Sequence, residues 1–310
     1  MSMLARVTRG RICRPYAVVI YGPDGVGKTT FGSEAPAPIF LGPEVGSANI
    51  DVARFPTPTN WQDVLDATDE LIREPHAFKT LVVDSLDWLE PILHEHICRE
   101  DNAKSIERAA GGYGKGYREA VNYWIQWKNK LEILREKKGM NLVFLAHTEV
   151  IPFNDPQTQS TYDRFQMKLH KLASAFFREY VDAVLFVNYE IFVKKENNRT
   201  QAYGEGERIA WTERRPGFDA KNRLDLPLQI PLKRGESWKA FVDAAAKGEP
   251  EKPDAVRSRI EQMLPDVKDE ELLVKVKETI IKAGDHAESL LKIEARLKTI
   301  LSELPPEAPA

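Results

Sequence analysis

The stretch that decides the fold is YAVVIYGPDGVGKTT, residues 16–30. Its first six residues are apolar and rich in β-branched side chains, which predicts a buried strand. Gly22–Thr29 then fits the pattern GxxxxGK[ST], and a helix is predicted from Lys28 onward. The glycines of this pattern let the backbone curl, so that successive N–H groups point at phosphate oxygens. The stretch therefore predicts a phosphate-binding loop between a strand and a helix.

Each position of the loop has an expected task. Lys28 is expected to reach the β and γ phosphates of a nucleotide, and the hydroxyl of Thr29 to ligate magnesium. The pattern therefore predicts ATP and Mg²⁺ as cofactors. The predicted nucleotide-contacting residues are Gly22, Pro23, Asp24, Gly25, Val26, Gly27, Lys28, Thr29 and Thr30.

Short apolar runs alternate with helical stretches from residue 16 to about 190, which predicts an α/β fold with a mostly parallel sheet flanked by helices. Strands are predicted at 16–21, 38–41, 79–84, 141–147 and 181–189. Helices are predicted at 60–74 (with Asn60 as the cap), 86–99, 118–138 and 166–179. The polar stretch 148–165 is interpreted as a long loop. A hairpin is predicted between 190–195 and 207–213.

The composition changes near residue 248. Residues 247–254 have the composition of a linker, and three stretches with helical spacing follow them. The sequence thus predicts a core at 1–248 and an acidic helical C-terminal region at 249–310. The last residues, PPEAPA, are predicted to be disordered.

The overall composition is that of a soluble globular protein, with 42% hydrophobic and 29% charged residues. No run of 18 apolar residues occurs, so we expect no transmembrane helix. The apolar N-terminal stretch continues into the phosphate-binding loop, so we expect no cleaved signal peptide. Cys13 and Cys98 offer neither a disulfide framework nor a metal cluster. These features predict a cytoplasmic protein.

The net charge of −3 is unevenly distributed. Residues 99–138, 164–178 and 191–234 are locally basic, whereas both ends of the chain are acidic. Such segments are compatible with nucleic-acid binding at a local site. They are equally what solvated helix and hairpin faces look like.

A carboxylate is expected to complete the magnesium site. Leu81–Asp84 is an apolar strand that ends in an acid, so Asp84 is predicted to contact the metal, usually through water. Asp87 is close in sequence, but a position inside the following helix suits this task less well. The metal-site residues predicted are therefore Thr29 and Asp84.

Hydrolysis also requires a group that orients or deprotonates water. The residue after Asp84 is a serine, so Glu44, which follows the second predicted strand, is the candidate. A surface glutamate in a Gly/Pro loop is the alternative interpretation. His147 ends the strand NLVFLAH, where it is either a polar sensor of the γ-phosphate or an ordinary hydrogen-bonded histidine.

The ordered set GPDGVGKTT, Glu44, LVVDS, GGYGKGY and FLAH resembles the RecA-type ATPase core over residues 15–245. More specifically, it resembles the short phage-encoded RecA-like proteins of the Sak-type single-strand annealing group, also called phage nucleotide-binding AAA proteins. The resemblance implies a RecA-like P-loop NTPase core with ATPase activity. It also implies ATP-dependent binding and annealing of single-stranded DNA in phage recombination, in the host cytoplasm. The implied partners are single-stranded DNA, further copies of the chain in a ring or filament with ATP at the interfaces, and a single-strand binding protein.

The resemblance also implies roles for individual residues. Glu44 matches the catalytic glutamate, and His147 matches a polar residue that couples nucleotide state to DNA binding. Lys221 and Arg223 match a Lys-x-Arg element that reaches the γ-phosphate of a neighbouring subunit. Lys28, of the phosphate-binding loop, completes the predicted catalytic set.

Two stretches, Ser105–Tyr117 and Thr148–Phe165, match the loops that face single-stranded DNA in such proteins. Their aromatic side chains suit base stacking and their cations suit phosphate contacts. The alternative is that the aromatic rings simply anchor the loops. The predicted DNA-binding residues are Tyr113, Lys115, Tyr117, Arg118, Tyr162, Arg164, Phe165 and Lys168.

Two other classes of function remain open from the sequence. The first is a nucleotide-switched module that binds a protein partner through its helical C-terminal region and scarcely hydrolyses ATP. The second, a small-molecule kinase, has less support because no arginine-rich lid is evident in the sequence.

Overall fold

The computed structural model describes residue 7 and residues 14–42, 49–155, 161–190, 192–196, 199–203, 206–248, 253–267, 270–284 and 287–303. Glu44 lies outside these described residues. The chain divides into two compact units, residues 1–246 and 247–310.

The strands of the first unit are β1 (Ala17–Gly22), β2 (Pro38–Leu41), β3 (Ala53–Arg54), β4 (Thr80–Val83), β5 (Asn141–Asn154), β6 (Thr161–Met167), β7 (Ala183–Tyr189), β8 (Phe192–Glu196), β9 (Arg199–Tyr203), β10 (Arg208–Trp211), β11 (Lys221–Asn222) and β12 (Gln229–Pro231). The helices are α1 (Lys28–Ser33), α2 (Trp61–Arg73), α3 (Leu86–Glu100), α4 (Lys115–Lys137), α5 (Lys171–Tyr180) and α6 (Ser237–Gly248). A short 3₁₀ turn covers Ala109–Gly111.

Among the described residues, ten of these strands form one sheet with the order β12-β10-β7-β1-β5-β4-β2-β3, to which β6 and β11 are added beside β5 and β7. The strands from β7 to β3 in this order are parallel, β10 runs antiparallel to β7, and β12 runs antiparallel to β10. The predicted α/β fold with a mostly parallel sheet is therefore confirmed.

Helices cover both faces of the sheet. Val19 and Tyr21 of β1 point to a core formed with α2–α5, and Val18 and Ile20 point to a second core formed with α1 and α6. In the first core Trp61 meets two other buried tryptophans edge to face. Such pairs contribute about 0.5–1.5 kcal/mol each beyond the burial of their area. Burial on both faces explains why β1 is a continuous apolar run.

A buried carboxylate joins three elements at the amino end of the sheet. Asp182, just before β7, accepts a hydrogen bond from the backbone N–H of Ala17 at 2.9 Å and forms an ion pair with Arg135 of α4. The guanidinium of Arg135 is 1% exposed. Loss of one partner from a buried pair typically costs about 3–5 kcal/mol. This contact therefore ties the beginnings of β1 and β7 to the last turn of α4.

The predicted helix at 60–74 is confirmed together with its cap. Asn60 accepts a hydrogen bond from the N–H of Asp63, whose carboxylate accepts one from the N–H of Asn60. This reciprocal arrangement satisfies two N–H groups that the helix itself cannot pair.

The prediction of a long loop at 148–165 is wrong. β5 continues to Asn154, and β6 returns alongside it from Thr161 to Met167, so that the stretch is a β-hairpin. The hairpin extends beyond the parallel sheet and takes its hydrogen bonds from its own two strands. It therefore does not need the apolar alternation that marks a half-buried strand.

Two neighbouring predictions also differ from the structure. The helix predicted at 166–179 begins only at Lys171, because the residues before it belong to the hairpin. The hairpin predicted between 190–195 and 207–213 has other partners: β8 pairs with β9, and β10 pairs with β7.

The second unit is helical. Its helices are α7 (Pro253–Met263), α8 (Glu270–Ala283) and α9 (Ala287–Glu303), with a 3₁₀ turn at Leu264–Asp266. They enclose a small apolar core that includes Ile260 and Leu297. An ion pair joins Arg259 to Glu294 at 2.8 Å. Within the described part of the chain, no helix combines the length and the apolar character needed to cross a membrane.

Candidate nucleotide site

The phosphate-binding loop connects β1 to α1. Gly25 and Gly27 adopt φ values of +72° and +95°, which a residue with a Cβ atom rarely adopts. The ammonium of Lys28 donates to the carbonyl oxygens of Gly22 and Pro23, both at 3.0 Å. The lysine side chain is thus held at the mouth of the loop, where a bound phosphate would receive its donors.

Two oxygen ligands suited to magnesium lie side by side. The hydroxyl of Thr29 donates to Asp84 at 3.1 Å, and Asp84, at the end of β4, is 4% exposed. Hydroxyl and carboxylate oxygens are the ligands that Mg²⁺ takes at nucleotide sites. The residues present therefore fit the metal that such a loop uses.

His147 lies at the same edge, opposite Gly22 in the pairing of β5 with β1. Asp87 accepts hydrogen bonds from the backbone N–H of His147 at 3.0 Å and from its Nδ1 at 2.9 Å. Because a carboxylate accepts only, Nδ1 carries the proton, and Nε2 faces Asp24 of the loop at 3.4 Å. The histidine is therefore oriented toward the phosphate-binding loop.

The carboxyl of Asp87 is ionised while it accepts these hydrogen bonds from His147. Burial raises the pKa of its carboxyl, but the hydrogen bonds from His147 outweigh burial and bring the pKa below its ordinary value. Sequence reasoning left Asp87 without a role. Asp87 lies three residues after Asp84, in the first turn of α3. This spacing is the signal in the sequence that places Asp87 at the same edge of the sheet.

A pocket of about 560 Å³ opens above the loop. Besides the loop, Asp84 and His147, its walls include Trp88, which is 54% exposed, and Lys168. Lys168 follows β6, and its N–H donates to the carbonyl of His147 at 2.9 Å. The structure therefore places Lys168 at the nucleotide pocket, and its assignment to DNA stays a prediction.

The strand that precedes Glu44 also ends at this edge. Leu41 of β2 pairs with Val83 of β4, and a Cβ atom built on Gly42 would overlap the carbonyl oxygen of Asp84. The chain thus passes directly beside Asp84 before it reaches Glu44, which lies outside the described residues.

The predicted DNA loop at 105–117 divides into exposed and anchored residues. Tyr113 is fully exposed, and Lys115 and Arg118 are exposed at the start of α4. Tyr117 instead stacks on His170 at 3.8 Å between ring centres, and its hydroxyl donates to Glu107 at 2.7 Å. For Tyr117 the anchoring interpretation therefore holds in this conformation.

The predicted DNA residues of the hairpin are also engaged within the protein. Arg164 is 2% exposed and forms an ion pair with Asp219, which corrects its assignment to DNA. The ring of Phe165 lies 5.3 Å from that of Phe186. Tyr162 packs on Phe153 at 5.7 Å, and its hydroxyl donates to Asp155 at 2.9 Å.

Lys221 has a structural task in the described conformation. Its ammonium donates to the carbonyl oxygens of Arg178, Glu179 and Val181, at 2.6–3.0 Å, at the end of α5. Burial, with the charge of Arg223 beside it, lowers the pKa of Lys221 to about 8. Three donors meet three acceptors, so Lys221 caps α5 and has no N–H left for a neighbouring phosphate.

Arg223 is exposed and lies with other cations. It lines a groove of about 570 Å³ along α5, together with Lys171, Arg178 and Arg214. Asp219 forms ion pairs with Arg178 and Arg214. Lys171 and Arg223 add further positive charge to this groove.

The buried carboxyl of Glu90 connects α3 to His170, the residue on which Tyr117 stacks. Glu90 accepts a hydrogen bond from the N–H of His170 at 2.9 Å. Burial raises the pKa of Glu90 to about 7, and the charges of Asp87 and Glu149 act in the same direction. His94 lies 3.9 Å away, and burial lowers the pKa of its imidazole to about 4, so it remains neutral at pH 7.

The fold and this edge of the sheet define a P-loop nucleotide-binding protein. Residues 14–224 match the AAA domain family, and the chain belongs to that family. The family implies binding of a nucleotide together with magnesium. The chain is also similar to the SPbeta prophage-derived uncharacterized protein YorG of Bacillus subtilis (strain 168), with 20% identity over 151 residues. The match covers 47% of this chain and 44% of that protein, so it spans less than half of either.

We predict that Glu90→Gln removes a pH-dependent loss of stability. The pKa of Glu90 is raised on folding from 4.5 to about 7, so its contribution to stability is complete below pH 4.5 and is lost as pH rises through 7. The neutral glutamine keeps an acceptor for His170 and does not ionise. The free energy of unfolding of the variant, relative to that of the wild type, should therefore increase by about 2 kcal/mol from pH 5 to pH 8. Urea unfolding at the two pH values measures it.

Glu95→Gln on the same helix is the matched control, because Glu95 is 60% exposed. Its stability relative to the wild type should change little with pH. A gain for Glu90→Gln that is the same at pH 5 and pH 8 would contradict the prediction.

Proposed function

We propose that the protein is a magnesium-dependent ATPase whose ATP-bound form assembles with further copies and binds single-stranded DNA, in the manner of a phage annealing or recombination protein. The observation that carries the proposal is the convergence of Lys28, the Thr29–Asp84 pair and the Asp87–His147 pair at one edge of the sheet. This edge provides phosphate donors, metal ligands and an oriented polar group within one pocket.

The chemistry follows from these residues. Lys28 would exchange its carbonyl acceptors for phosphate oxygens when ATP enters, and Thr29 and Asp84 would hold the metal. Magnesium, when bound, neutralises charge that develops on the transferred phosphoryl group. His147, fixed by Asp87, presents Nε2 to the phosphate end of the pocket. Glu44 orients the attacking water and receives its proton.

We expect Glu44→Gln to keep ATP binding and to lower kcat at least about 100-fold, because the general base is lost while the phosphate contacts remain. Lys28→Ala should instead weaken ATP binding itself. Turnover measured by phosphate release, with affinity measured by equilibrium titration, separates the two effects.

Glu74→Gln, an exposed glutamate after α2, is the control and should hydrolyse ATP like the wild type. Normal turnover by Glu44→Gln would remove Glu44 from the mechanism. Tight ATP binding without turnover by the wild type, in the presence and absence of DNA, would favour the nucleotide-switched protein-binding module.

Arg223 is the proposed cation in trans. The backbone N–H of Arg223 donates to the carbonyl oxygen of Asp182. The backbone N–H of Asp182 donates in turn to the carbonyl oxygen of Ala17, at the amino end of β1. The phosphate-binding loop follows the other end of β1, five residues on, or about 17 Å away. This position supports action of the Arg223 side chain at the loop of a second copy.

If Arg223 acts in trans, Arg223→Ala should bind ATP but hydrolyse it at least about 100-fold more slowly. Mixing it with Lys28→Ala should restore part of the turnover, because an intact loop then meets an intact arginine. Each variant mixed with itself is the control. Unaltered hydrolysis by Arg223→Ala would exclude this role.

The proposed DNA surface is the exposed part of the loop before α4. Tyr113 presents a fully exposed ring, and Lys115 and Arg118 lie within five residues of it. An exposed ring can stack on a base, and the two cations can neutralise backbone phosphates. His170, stacked on Tyr117, connects this surface to Glu90 of α3.

Removal of these three side chains should weaken binding to a single-stranded oligonucleotide in distinguishable ways. Lys115→Ala and Arg118→Ala should each reduce the slope of log K against log salt by about 0.7. Tyr113→Ala should leave the slope unchanged and cost about 1–3 kcal/mol. Fluorescence anisotropy with ATP present measures both quantities.

Lys137→Ala, at the far end of the same helix, is the matched control because Lys137 is also exposed. It should bind like the wild type. An equal effect of Lys137→Ala and Lys115→Ala would show that general charge, rather than this surface, governs binding.

A further inference from the structure

The antiparallel pairing of β7 and β10 brings two side chains to the phosphate-binding loop from outside. Tyr189, the last residue of β7, is paired directly with Arg208, the first residue of β10. Residues directly opposite each other in such a pair project from the same face of the sheet. Neither residue belongs to the loop motif, and neither is marked by a sequence pattern.

Both side chains contact the loop. The hydroxyl of Tyr189 donates to the carbonyl oxygen of Gly25 at 3.2 Å. The guanidinium of Arg208 lies against Gly27, where a Cβ atom would overlap its Nη1. Gly27 is therefore constrained twice, by its φ of +95° and by the arginine beside it.

The guanidinium of Arg208 carries five N–H donors. Its side chain is partly exposed, and no hydrogen-bond or ion-pair partner of its guanidinium lies among the described residues. A guanidinium that lies next to a phosphate-binding loop is suited to a phosphate oxygen.

The sheet order indicates which phosphate this is. Asp84 follows β4 and His147 lies in β5, both on one side of β1, so the γ-phosphate end of a nucleotide lies on that side. Arg208 comes from β10, on the other side of β1 beyond β7. It therefore faces the end of the phosphate chain nearer the nucleoside.

We propose that Arg208 is a nucleotide-binding residue that acts in cis on the α- and β-phosphates, the part shared by ATP and ADP, while Tyr189 holds the loop beside it. The proposal rests on the nucleotide binding of the proposed function but not on hydrolysis, oligomerisation or DNA binding. It separates two arginine tasks: Arg208 retains the nucleotide before and after hydrolysis, and Arg223 acts on the γ-phosphate of a neighbour.

The test is the affinity of the full-length protein for ADP and ATP, measured by titration calorimetry with magnesium. Arg208→Ala should weaken both nucleotides by the same factor, about tenfold, which corresponds to about 1.4 kcal/mol. Arg208→Lys, which keeps a charge without the forked geometry, should fall between the wild type and Arg208→Ala.

Arg234→Ala, an exposed arginine before α6, is the matched control and should bind both nucleotides normally. Thermal unfolding without nucleotide checks that the variants are folded, and Arg208→Gln replaces Arg208→Ala if the latter is not. Unchanged ADP affinity overturns the proposal, as does a loss confined to ATP. A wild type that binds ADP but never hydrolyses ATP contradicts only the ATPase proposal, whereas a wild type that binds neither nucleotide overturns both.

Discussion

The parallel register of β1 against β5 is the constraint on which the nucleotide site depends. Gly22 pairs with His147, and the neighbouring pairs continue without a gap to β4, so that the phosphate loop, Asp84 and His147 arrive at one edge. Because β1 is buried on both faces, a slip by one residue would exchange its two sets of core side chains. The same packing that stabilises the fold therefore determines the distance between Lys28 and Asp84.

α3 is the element that connects this edge to the surface proposed for DNA. Its first turn holds His147 through Asp87, and its next turn holds the N–H of His170 through Glu90. Tyr117 stacks on His170 in the first turn of α4, between the exposed Lys115 and Arg118. A displacement at the phosphate end of the pocket has a continuous path of hydrogen bonds and ring contacts along one rigid helix to that surface.

Local patterns in the sequence were sufficient for the loop at Gly22–Thr29, for the parallel strands and for the cap at Asn60. Each depends on residues a few positions apart. The hairpin at 148–167 was missed because its strands bond to each other and need no apolar face. The positions of Arg208 and Lys221 depend on which strand lies beside β7, and that pairing joins residues far apart in sequence. For the same reason Lys221 could not be recognised as the cap of α5.

Trp88 gives the nucleotide pocket a fluorescence signal of its own. Among the six tryptophans of the chain, Trp61, Trp124 and Trp127 are fully buried in one core, whereas Trp88 is 54% exposed in the wall of the nucleotide pocket. An indole in water and an indole in an apolar core emit at different wavelengths, so the emission of Trp88 differs from that of the buried three. The buried three report on the integrity of the core. Trp88 makes the pocket its own optical probe, sensitive to whatever displaces water from its wall.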